Sequence, residues 1–209
     1  MPDTRYTESL LQNNRDWVTK TLQENELFFE NLALGQSPPI FWIGCSDSRV
    51  PANQITGTKA GDIFSHRNIA NVVSHNDLNL LSVLEYAVNF LKVKHIIVGG
   101  HYCCGGVEAA MGNKNLGLID HWLGNIKEVY RMNQKEVDSI TVPEDRLKKM
   151  VELNAKDGIR KLGKTGIIQN AWLNNQDLQL HAWVFDVKTG ILKDLNVSCH
   201  DHDSYDKIF

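Results

Sequence analysis

Cysteine is scarce in this chain: four residues in 209, at positions 45, 103, 104 and 199. That is too few, and too unevenly spaced, for a disulfide framework, so metal or catalytic use is the better expectation for them. Long apolar runs are also missing. None approaches the roughly 20 residues that a bilayer-spanning helix needs. The opening Met-Pro-Asp-Thr-Arg-Tyr lacks the apolar centre of a signal peptide and carries an early acid, unlike a transit peptide. A cytoplasmic protein without membrane contact is therefore expected. There is no basic excess either: 22 Lys and Arg stand against 25 Asp and Glu, a net charge of −3, so nucleic acid is not an expected partner. Internal repeats and low-complexity tracts are absent.

Apolar residues make up 42% of the chain and charged ones 22%, close to the usual balance of a globular protein. Its length suits a single domain over residues 1–209 with a substantial core. Within residues 3–34, Leu10, Leu11, Trp17, Val18, Leu22, Leu27, Phe28, Phe29 and Leu32 mark two amphipathic helical segments. The sequence Gly35-Gln-Ser-Pro-Pro39 ends them. Short apolar runs at 40–44, 62–66 and 95–100 read as strands, and 50–61 as loop. Asn76 or Asp77 can cap a helix to about Leu91, with Leu80, Leu81, Leu84, Ala87, Val88 and Leu91 on its apolar face. Helical patterns follow at 105–111, 118–133, 143–162 and 164–174, with Pro143 suited to a first turn. Leu178–Phe185 alternates as a strand, Lys188-Thr-Gly190 turns, and 191–197 returns. The fold class this implies is α/β: a mostly parallel central sheet flanked by helices on both faces, with an antiparallel edge and an N-terminal helical arm.

Two of these strands end in chemistry. Ile40–Gly44 runs into Cys45-Ser-Asp47-Ser-Arg49, and His95–Gly100 into His101-Tyr-Cys-Cys104-Gly105-Gly106. Functional groups of an open α/β sheet collect where strands end at their carboxyl side. If the two strands are neighbours, Cys45, His101 and Cys104 converge. One histidine and two cysteines satisfy three of the four positions zinc prefers and leave one open, the layout of a catalytic rather than a structural site. Cys103 competes in principle with Cys104 for the same metal.

Three blocks, Cys-Ser-Asp-Ser-Arg-Val (45–50), His-Arg-Asn-Ile-Ala-Asn (66–71) and His-Tyr-Cys-Cys-Gly-Gly (101–106), resemble the β-class carbonic anhydrases in order and spacing. The resemblance runs, more weakly, along nearly the whole chain. It implies one Zn2+ per chain held by Cys45, His101 and Cys104, which leaves Cys103 as a packed or exposed thiol; Cys199, with no metal-ligand spacing to the others, reads as a free thiol. Zinc lowers the pKa of bound water to about 7 in favourable sites, which supplies hydroxide for attack on carbon dioxide at neutral pH. It further implies that Asp47 and Arg49 form a dyad. Asp47 either ligates the metal in a closed form or pairs with Arg49 and orients the attacking oxygen.

By the same resemblance, Phe64, Val72 and Tyr86 line an apolar substrate slot, Gly105 and Gly106 let the backbone come near the metal, and Gln36 reaches a neighbouring subunit's site. The 1–34 arm then lies across that second subunit, giving a homodimer or a dimer of dimers. One subgroup of the family carries an inhibitory bicarbonate site built on a Trp, an Arg and a Tyr. Here Trp42 and Arg67 match and Phe185 replaces the tyrosine, which implies weaker bicarbonate regulation. The rival readings are a relative acting on carbon disulfide or carbonyl sulfide, and a non-catalytic zinc or bicarbonate sensor. The intact Asp47-Arg49 pair argues against the sensor.

Overall fold

The computed structural model describes residues 5–209 and divides the chain into two compact units, Met1–Gln36 and Ser37–Phe209. The first unit is a pair of helices, α1 (Arg5–Glu24) and α2 (Phe28–Ala33). Trp17 folds them together, meeting Phe28 and Phe29 edge-on at 6.4 and 5.3 Å between ring centres. The two expected segments are thus present, while positions 3 and 4 lie outside the described residues. Neither helix buries a residue, and Leu10, Leu11, Trp17, Leu22 and Leu32 are all exposed.

The second unit is built on one five-stranded sheet in the order β2-β1-β3-β4-β5: β1 Ile40–Cys45, β2 Ile63–Asn68, β3 His95–His101, β4 Gln179–Asp186 and β5 Ile191–Cys199. The β1, β2, β3 and β4 pairings are parallel, and β5 joins antiparallel to β4 across the expected turn. Alternate residues of each strand face opposite sides. The two sides are unequal. Phe41, Ile43, Ile96, Val98, Leu180, Ala182 and Val184 face the main core. That core is completed by α4 (Leu78–Glu85), α5 (Gly105–Met111), α6 (Ile119–Met132), α8 (Pro143–Gly163) and α9 (Gly166–Leu173). On the opposite side, Trp42 and Ile97 pack with Ala52 and Ile55 of a short helix, α3 (Ala52–Thr56). Within residues 37–209, helices on both faces therefore means most of the helices on one side and a single short helix on the other.

Trp42 explains two glycines. A Cβ at Gly44 or at Gly99, on the neighbouring strand, would overlap its indole ring, so the ring lies flat on backbone that carries no side chain.

Four local expectations change. The stretch 50–61 is not all loop: α3 lies in it, closed by Gly57 at φ +66°, and five residues are too few to show a helical period. The Asp77-capped helix runs α-helical only to Glu85, and Tyr86–Phe90 is a π-turn. Widening the helix there sends Ala87 and Val88 to the core and stacks Tyr86 on Phe90 at 5.5 Å outside it. Two helices escape the periodicity altogether, α7 (Gln134–Asp138) and α10 (His202–Ile208), each with one buried residue, Val137 and Tyr205. None of the described helices is long and apolar enough to cross a membrane.

Candidate metal centre

The sheet register brings the two motif loops together. β1 and β3 are hydrogen-bonded neighbours and both end at the same rim, Cys45 closing one and His101 the other. Cys104 follows one tight turn later and precedes α5. The ligand atoms of Cys45, His101 and Cys104 lie within 4.8 Å of one another, and all three residues are buried. Among the described residues this is the group of donors able to hold a metal ion. Cys103 is not in it: its backbone takes φ +58° and its side chain turns out to solvent.

The donor chemistry fits a zinc-like ion. Two sulfurs and an imidazole are the soft and borderline ligands that such a metal selects. His101 Nδ1 donates to the Tyr102 carbonyl at 3.0 Å, which fixes the tautomer and leaves Nε2 as the free lone pair. That Nε2 is buried with no hydrogen-bond partner, a costly state for a polar atom unless a ligand takes it up.

The two thiols are driven apart in acidity. Cys45 is pulled well below an ordinary thiol, first by the hydrogen bond from Cys104, then by His101 and by the Ala70 N–H, which donates to its Sγ at 3.3 Å. Cys104, donating to that thiolate and buried beside it, is pushed up. Burial works against a charged His101, but the thiolate of Cys45 and the carboxylate of Asp47 outweigh it and raise the ring above its usual value.

Asp47 stands at the mouth of the site. Its Oδ1 accepts from Arg49 Nε and from the Arg49 backbone N–H, both at 2.9 Å, and its Oδ2 accepts from an Arg49 terminal nitrogen at 2.7 Å. The guanidinium holds this carboxyl far below the usual carboxylate range. Oδ2 lies 3.7 Å from His101 Nε2 yet stays outside the three-donor group. Arg49 also reaches the Cys103 carbonyl at 3.3 Å, tying one motif loop to the other.

The remaining expected residues divide by place. Phe64 is half-buried between Phe41 and Tyr86, with ring centres 6.0 and 5.9 Å away. Val72 is buried, and Tyr86 is exposed over nearly half its surface. Gly105 has open space where a Cβ would stand, whereas a Cβ on Gly106 would press on Ala70 and Ile69 at 3.0 and 3.1 Å. Gly106 thus lets the start of α5 close on the turn Ile69–Asn71. Gln36 is exposed at the end of the first unit. Trp42, Arg67 and Phe185 all occupy the sheet side opposite the main core, by strand alternation. The guanidinium of Arg67 is engaged by backbone, donating to the carbonyls of Cys45 at 2.9 Å and Asp47 at 2.6 Å, so it latches the first motif loop.

Sequence reasoning missed the residues that hold the centre from behind. Ala70 and Asn71 adopt left-handed backbone, φ +62° and +47°, which aims the Ala70 N–H at Cys45. For a non-glycine residue this costs roughly 1–2 kcal/mol. Buried Asn154 of α8 holds the turn by donating to the Ala70 carbonyl at 2.9 Å. An Asn in the middle of a helix was the available signal.

A family model for carbonic anhydrase matches residues 40–192, spanning β1 to β4, the start of β5 and both motif loops. A carbonic anhydrase of Emericella nidulans is 49% identical over 198 residues, covering 93% of this chain and 87% of that protein. Among solved structures, one from a study of two tetrameric β-carbonic anhydrases of Sordaria macrospora superposes with a TM-score of 0.90 at 40% identity. It covers 93% of this chain and 99% of its own. A β-carbonic anhydrase of Coccomyxa, solved with acetazolamide, gives a TM-score of 0.91 at 34% identity, covering 97% and 90%. The chain belongs to the carbonic anhydrase family, in its β class.

Proposed function

We propose that the chain carries one Zn2+ on Cys45, His101 and Cys104 and catalyses the reversible hydration of carbon dioxide to bicarbonate and a proton. The observation that carries this reading is the buried, unpartnered Nε2 of His101 facing two cysteine sulfurs. Three convergent donors rather than four leave a position for the reacting oxygen. When bound, zinc supplies a strong acid centre that lowers the pKa of water to about 7.

The chain's own residues do the rest. Asp47, kept ionised by Arg49, can only accept a hydrogen bond. It accepts a hydrogen bond from the attacking oxygen and so turns that oxygen's lone pair towards the substrate carbon. Both of its oxygens are engaged by Arg49, which supports the open alternative over the one in which Asp47 ligates the metal. Arginine suits this work because its planar fork grips a carboxylate at two points. Phe64, Val72 and Tyr86 are the residues assigned to an apolar slot for a small nonpolar gas, and the ring contact of Phe64 with Tyr86 at 5.9 Å supports this. Trp42, Arg67 and Phe185 are the bicarbonate-responsive group, weakened by the missing phenol hydroxyl.

Residues 1–34 serve as a dimerisation arm across a second copy, with Gln36 approaching that copy's site. The exposed Leu10, Leu11, Trp17 and Leu22 support this, and the Sordaria macrospora relatives are described as tetrameric.

The test is carbon dioxide hydration followed by stopped flow on metal-quantified protein, before and after chelation and after zinc is restored. Activity that rises with zinc to one equivalent per chain is expected. Protein holding a full equivalent of zinc and no hydration activity would overturn the reading.

A further inference from the structure

Two of the three donors, His101 and Cys104, sit on one tight turn, and that turn is strained: Cys103 at its tip takes a left-handed φ of +58° without being glycine. Something must hold it. Arg49 grips the mouth side through the Cys103 carbonyl. The inner side is gripped through Tyr102, a residue 8% exposed, whose every polar group is engaged. Its N–H donates to the Phe185 carbonyl at 3.0 Å, and its carbonyl accepts the Nδ1–H of His101 at 3.0 Å. Its hydroxyl donates to Glu152 Oε1 at 2.6 Å. Glu152 lies within the long helix α8, and Lys193 of β5 donates to the same oxygen at 2.7 Å, balancing its charge.

We propose that Glu152 is a positioning residue for the metal centre, acting through Tyr102. The peptide whose carbonyl orients the His101 ring belongs to the residue whose phenol Glu152 clamps. Freeing the phenol lets Tyr102 rock and loosens the hydrogen bond that keeps Nε2 aimed at the sulfurs. The groups that orient a ligating histidine typically change metal affinity by about 10–100-fold when removed. This inference rests on the metal site proposed above.

The test measures the rate at which zinc-loaded, full-length protein releases its metal to an excess of chromogenic chelator, at a temperature well below unfolding. Glu152→Ala and Tyr102→Phe are each expected to release zinc about tenfold faster than the wild type. The double variant should be no faster than either single one, because both changes break one link. Glu152→Gln keeps an acceptor oxygen and should stay within about threefold of the wild type. Tyr102→Phe keeps the ring in the core, so it reports even if Glu152→Ala does not fold. Wild-type release rates in the variants, with only the melting temperature lowered, would make Glu152 a plain core anchor and overturn the proposal. Multiplying effects in the double variant would also overturn it. A wild-type protein that takes up no zinc would instead strike the metal reading itself, and this inference with it.

Discussion

The two loops that meet at the metal centre leave the same rim of the sheet but are held by different physics. After Cys45 the chain passes to the surface. Asp47 and Arg49 are tied to each other by charge, and Arg67 clasps the loop's carbonyls from the next strand. After His101 only Cys103 turns outwards, and Tyr102, Glu152 and the Phe185 carbonyl hold the turn from its inner side. Ion pairs near the surface are weak and adjustable, whereas a buried residue with every polar group engaged, as Tyr102 is, is held rigidly. Asp47, proposed above to orient the attacking oxygen, sits on the adjustable loop. Two of the three donors, which need a fixed geometry, sit on the rigid one.

That contrast can be broken most severely on the rigid side. Cys104→Ser should cost more than the roughly 10–100-fold in metal affinity that a ligand's hydrogen-bond partner carries, and hydration should fall to the uncatalysed rate. Zinc content of the purified variant checks the first and stopped flow the second. Next comes the adjustable loop. Arg49→Ala should retain zinc and an unchanged melting temperature yet lose about 100-fold in kcat/KM, the scale of one removed orienting group. Arg49→Lys should recover little, because a lysine cannot grip both oxygens. Loss of zinc from Arg49→Ala would show that the first loop, too, is structural.

A smaller effect distinguishes the networks by pH. Burial disfavours the Glu152 carboxylate, but hydrogen bonds from Lys193 and Tyr102 win and hold its pKa below the ordinary glutamate value. A depressed carboxylate stabilises the fold above its unfolded pKa, about 4.3, and that contribution fades as the pH drops below it. Denaturant midpoints should therefore favour wild type over Glu152→Gln at pH 7, with the gap closing below about pH 4. A gap that persists in acid would assign the difference to packing. The smallest effect is expected at the tip of the turn. Cys103→Ser should leave zinc content and hydration within about twofold of the wild type, since the exposed thiol lies outside the donor group. A large loss would mean that Cys103 rather than Cys104 serves the metal.

Most of the sheet and the donor set were legible in the sequence, and for a clear reason. Buried parallel strands must be continuous apolar runs, and Ile40–Gly44 and His95–Gly100 are such runs, so the residues that end them are marked in advance. The long helices show their period for the same reason. What stayed hidden was short or cooperative. Helix α3 and the last helix, α10, bury too few side chains to leave a pattern. The π-turn at Tyr86 follows from tertiary packing. Above all, the supports of the site are distant in sequence: Asn154 holds Ala70 from 84 positions away and Glu152 holds Tyr102 from 50, contacts that no local window contains.

The separation in sequence between the two loops also bears on the unfolded chain. Arg49 and Cys103 touch across 54 positions. Pinning the ends of a loop that long removes conformational freedom from a random chain worth about 4 kcal/mol on the chain-entropy model. A metal ion held by Cys45, His101 and Cys104 would be, in polymer terms, a reversible cross-link across nearly the same span. Copies that lack it would have a larger random ensemble open to them, so metal supply would set how many chains survive to work as well as how fast each one turns over.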